Sequence, residues 1–78
     1  MSTDEYFIKY KTKQTCEPYV LPERTRKELA LIDGVEVVYE NAFAPIIIAN
    51  IPENKVAIVK SLDSVIDVSI NPTSDAAY

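Results

Sequence analysis

The sequence predicts a small α+β domain with the order strand, helix, strand, strand, helix, strand. Three observations carry this. Four short stretches are rich in β-branched or aromatic residues, and three of them alternate apolar with polar side chains. Two intervening stretches repeat apolar residues at helical spacing, each opened by a Pro-Glu pair. The chain has 78 residues, enough for one domain and one core.

The elements follow in order. "YFIKYK" (Tyr6–Lys11) puts Tyr6, Ile8 and Tyr10 on one face and Phe7, Lys9 and Lys11 on the other, a strand. "TKQTCEPYVLP" is polar and holds two prolines, which makes it a loop. "PERTRKELALID" starts with Pro22 and Glu23 and stops at Gly34; Thr25, Leu29 and Ile32 fall at i, i+4 and i+7 of a short helix. "VEVVYENAF" alternates Val35, Val37 and Tyr39 against Glu36, Val38 and Glu40, the second strand. "PIIIANI" (Pro45–Ile51) is a third strand, close enough to the second for a hairpin. "ENKVAIVKSLD" is a second helix through Val56, Val59 and Leu62. "VIDVSI" (Val65–Ile70) is the fourth strand, with Ile66, Val68 and Ile70 expected on its buried face and Pro72 ending it. This order is the split βαβ arrangement of ferredoxin-like domains: a four-stranded antiparallel sheet with two helices on one face. Residues 1–71 are read as the domain and 72–78 as an extended tail.

Composition narrows the function. A chain this short buries roughly 60–65% of the surface its unfolded form exposes, so its stability is modest. Cys16 is the only cysteine, so no internal disulfide forms, and beside Glu17 it lacks the electropositive surroundings of a reactive thiol. Histidine is absent, which removes most hydrolytic triads, most zinc sites and the commonest general base. The single glycine, Gly34, rules out a glycine-rich phosphate loop. A net charge of −4 argues against nucleic acid as a partner. No apolar run approaches the ~20 residues of a membrane helix, and "MSTDEYFIKYK" lacks the apolar centre of a secretory signal. The expectation is a non-catalytic protein without metal or cofactor, cytoplasmic if the chain is complete and extracellular if it is cut from a precursor.

"YFIKYK", "VVYENAF" and "IIANIPENKVAIVKSLDSVIDVSI" together resemble the subtilisin propeptides and the related small inhibitors of subtilisin-like serine proteases. The likeness rests on the opening strand, the tyrosine and phenylalanine of the hairpin, the Ile51–Pro52 step before a helix, and the Val65-to-Val68 step. It implies that the open sheet face lies on two helices of a protease. The C-terminal tail would then enter the active-site cleft as a bound product, and such a domain can also template the folding of its protease. On this reading Phe7, Val38, Ile46 and Ile48 form the docking face, joined by Glu36, Asn50 and Glu40. Ser69 and Asn71 meet the N-termini of the protease helices, Ala76 and Ala77 pass the narrow cleft, and Tyr78 fills the specificity pocket. An aromatic end residue is a suitable anchor, since it carries much apolar area on few rotatable bonds.

The chain departs from that pattern at three places. Ser69, Ile70 and Asn71 stand where the family carries acidic residues, so any helix-dipole contribution there is reduced. Asp75 takes the position fourth from the end, usually apolar, and a carboxylate buried there unpaired would cost several kcal/mol. Gly34 stands alone and Pro45 occupies the hairpin region. The alternative is a non-catalytic ferredoxin-like interaction or oligomerisation module, whose apolar sheet face meets a second copy. That module would need the sheet but not Tyr78.

Overall fold

The computed structural model describes residues 3–70. The strands β1 (Thr3–Tyr10), β2 (Glu36–Glu40), β3 (Ile46–Pro52) and β4 (Val65–Ile70) form one antiparallel sheet in the order β2-β3-β1-β4. Helix α1 (Glu23–Ala30) links β1 to β2, and helix α2 (Val56–Lys60), entered through a 3-10 turn at Glu53–Lys55, links β3 to β4. The fold is therefore α+β and ferredoxin-like.

The core lies between the helices and one face of the sheet. Ile8 and Tyr10 of β1, Ile47, Ala49 and Ile51 of β3, and Val65 and Val68 of β4 are buried there, with Leu21, Leu29 and Val59 above them. The central strands keep strict alternation, because a pleated strand turns successive side chains to opposite faces. α1 places Thr25 and Leu29 in the core, and Ile32 of the turn that follows packs against it. α2 buries Val59 and rests Val56 on the core, joined by Leu62 just beyond the helix.

Both outer strands break the expected alternation. In β2 the register runs Val37 opposite Ala49, then Tyr39 opposite Ile48, so Val38 is an extra residue, a β-bulge. The bulge corrects the expected faces. Glu40 pairs opposite core-facing Ile47, not outward, and its carboxylate accepts from Arg26 of α1 at 2.8 Å. Tyr39 instead shares the open face with Ile48. In β4, Lys9 faces Asp67 while Tyr10 faces Val65, so Ile66 is the extra residue. Val65 therefore takes the buried place expected of Ile66, which is 54% exposed; Val68 is buried as expected, and Ile70, opposite Tyr6 at the end of the strand, keeps Val68's face but is 45% exposed.

Two side-chain links tie α1 to its surroundings, one to β2 and one to the turn before β4. One is Arg26–Glu40. In the other, Ser64 Oγ donates to Glu28 Oε1 at 2.6 Å, and Arg24 Nε donates to Glu28 Oε2 at 3.2 Å. Among the described residues no buried polar side-chain atom lacks a hydrogen-bond partner.

Candidate functional site

The two helices cover one face of the sheet and leave the other face open. Its composition follows from the register. The residues between the buried positions of β1 and β3 must point away from the helices. Pairing lines them up in three rows across the strands. The middle row is Tyr39, Ile48, Phe7 and Ser69, contributed by β2, β3, β1 and β4 in turn. On one side lies a row of Ile46, Lys9 and Asp67; on the other, Glu36, Asn50 and Glu5.

The middle row is the apolar part of the face. Phe7 and Ile48 are half-buried by their neighbours, and Tyr39 is 53% exposed. Ile46 extends it, and the bulged Val38 is 44% exposed beside Tyr39. Charge borders it on both sides: Glu36 and Glu5 on one, Lys9 beside Asp67 on the other. A shallow groove of about 270 Å³ runs along the second border, lined by Phe7, Lys9, Asn41, Ile46, Asp67 and Ser69. Asn41 is held at its end, where its N–H donates to the Ile46 carbonyl and its Oδ1 accepts from the Phe43 N–H. An apolar centre with a charged rim is the composition of a protein-binding surface.

Of the residues expected to dock, Phe7, Ile46 and Ile48 fall together on this face, and Ser69 lies directly opposite Phe7. Val38 sits at the β2 bulge at its margin. Glu36 and Asn50 form part of the rim, whereas Glu40 belongs to the helix side. Tyr39 was not among the expected residues. Only its pairing opposite Ile48 puts it there, and period-two reading assigns it to the other face. Asn71, Asp75, Ala76, Ala77 and Tyr78 lie outside the described residues.

The perturbed titrations belong to the helix side. Glu28 is held below its ordinary value, first by the Ser64 hydroxyl, with Arg24 adding to it and burial opposing. Tyr10 is pushed up by burial, with the Glu40 and Tyr19 charges adding to the effect. Among the described residues no group of three or more His, Cys, Asp or Glu side chains is placed to hold a metal ion. No helix among them is long and apolar enough to cross a membrane. No family model, curated protein or solved structure matches the chain.

Proposed function

We propose that this chain is a non-catalytic protein-binding domain that docks through the open face of its sheet, and that its partner is a subtilisin-like serine protease, which it inhibits. The observation that carries the docking reading is the row Tyr39–Ile48–Phe7, three large apolar side chains aligned across adjacent strands on the uncovered face. The protease reading rests on the sequence likeness set out above. The fold order and the uncovered sheet are compatible with it.

In this mechanism the sheet supplies area and the tail supplies aim. Phe7, Ile48, Ile46, Val38 and Tyr39 lose water against the partner, and the charged rim sets orientation. The tail leaves β4 and runs extended along the cleft, where main-chain hydrogen bonds hold it and Tyr78 fills an apolar pocket. Ser69 and Asn71 accept from the first N–H groups of the partner's helices.

Titration of subtilisin activity tests this with three chains: the whole chain, one lacking Asp75 to Tyr78, and the whole chain carrying Phe7→Ala. The whole chain is expected to inhibit. Loss of the tail weakens inhibition markedly, and Phe7→Ala weakens it about thirtyfold, the effect of losing ~2 kcal/mol at a central anchor. Absence of inhibition by a folded whole chain that sediments as a dimer would replace this reading with a self-pairing module.

A further inference from the structure

A second, larger cavity lies away from the open face. It lies where the end of β1, the start of α1 and the α2–β4 turn converge, has a volume of about 770 Å³, and shares no residue with the docking face. It is open to solvent on one side, and its volume exceeds that of a single ion and admits a small molecule. Its position follows from three contacts. The Lys11 N–H donates to the Ser64 carbonyl at 2.8 Å, holding the chain after β1 against the turn before β4. Ser64 Oγ holds Glu28 of α1. The Gln14 N–H donates to Thr12 Oγ1 at 3.1 Å, a local turn in the loop that carries Lys11, Thr12 and Lys13.

The lining has a distinct chemistry. Lys11, Lys13 and Arg24 bring three cations to it from two segments, against one lining carboxylate, Asp63. In a chain of net charge −4 this is a local reversal of sign. Lys11 and Lys13 are exposed and enter no ion pair among the described residues, while Arg24 shares its charge with Glu28. Thr12, Thr25 and Ser64 line the same space, the last two buried. Pro22, which precedes α1, also lines it and offers no capping side chain to the first turn.

The geometry points to a binding site for a small phosphate ester. The phosphate would be held by Lys11, Lys13 and Arg24, whose charge-assisted hydrogen bonds suit a tetrahedral dianion. The remaining volume would take the organic part, against Pro22 and the aliphatic stems of the lysines.

The test is a backbone-amide NMR titration of the whole chain with glycerol 3-phosphate and, separately, inorganic phosphate, at ionic strength fixed with sodium chloride. Expected are saturable shifts at the amides of Lys11 to Lys13, Glu23 to Thr25 and Ser64, with the ester binding more tightly than the free ion. Lys11→Ala and Lys13→Ala should each weaken ester binding about tenfold, Asp63→Asn should tighten it, and Lys27→Ala, outside the cavity, should leave it unchanged. Equal affinity for ester and free phosphate overturns the ester as ligand. Shifts that do not saturate, that spread over the surface, or that titrate in Lys13→Ala with the parent's affinity overturn the site. None of these outcomes bears on protease inhibition, because the two surfaces share no side chain.

Discussion

Gly34 has φ +85°, in the left-handed region, and a Cβ built there would stand 2.6 Å from Cγ of Pro52. Both the backbone and the space therefore require glycine between α1 and β2. Gly34→Ala is expected to cost about 1–3 kcal/mol, read as a lower denaturant midpoint at unchanged slope. Glu28 makes a second prediction. Its folded value lies below the ordinary 4.5, so its contribution to stability is complete above that value and is lost as pH falls through the lower, folded one. Ser64→Ala removes the leading cause of the shift, so its stability should depend less on pH in the acid range than the parent's, in denaturant melts at a series of acid pH values. Tyr10 has the opposite sign. Its phenol is raised above 10.0, so the stability it holds is complete below that value and is lost as pH climbs through the folded value. Absorbance titration of the phenols should show one tyrosine ionising last, and Tyr10→Phe should abolish that final step.

At the scale of the elements, all four strands were legible as strands, but the faces of the two central ones were read correctly and those of the two outer ones only in part. Ile8 and Tyr10, and Ile47, Ala49 and Ile51, are buried at alternate positions because β1 and β3 pair with each other in a regular ladder and neither carries an extra residue. In β2 and β4 an extra residue interrupts the ladder. A bulge depends on which strand lies alongside, and a single strand's pattern does not carry that information. This is why Glu40 and Tyr39 exchange faces and why Ile66 gives way to Val65. Helix α1 was legible because Thr25, Leu29 and Ile32 keep helical spacing, although its last turn stops earlier than Gly34 implied. The open face was thus legible at Phe7, Ile46 and Ile48 and missed at Tyr39. The cavity was illegible, because Lys11, Arg24 and Ser64 are brought together only by the tertiary fold. The Arg26–Glu40 pair created by the β2 bulge is more than a third exposed on each side. A double-mutant cycle on it should therefore give a coupling of only about 0.2–1 kcal/mol, shrinking in high salt.

For the molecule as a whole, one layer of helices over one sheet leaves little reserve. A chain of this length has a typical stability of about 4–12 kcal/mol on the per-residue average. Ile47→Ala empties a fully buried position at the centre of the core and is expected to cost about 2–5 kcal/mol. Calorimetry should show a large fall in melting temperature, or no cooperative transition. A comparable change on the open face, such as Ile48→Ala, should leave the melt much less altered, since Ile48 is only half-buried. The distribution of the bulges has a further consequence. Both extra residues, Val38 and Ile66, sit on the strands that bound the sheet, and the one regular ladder, β1 with β3, is enclosed between them. A neighbouring molecule seeking to continue the hydrogen-bond ladder therefore meets a kinked border on either side. On the β2 side it also meets the carboxylates of Glu36 and Glu40. That shape frustrates fibril growth from the folded state, so the sheet can present apolar side chains broadside to a partner without inviting end-on polymerisation of its own kind.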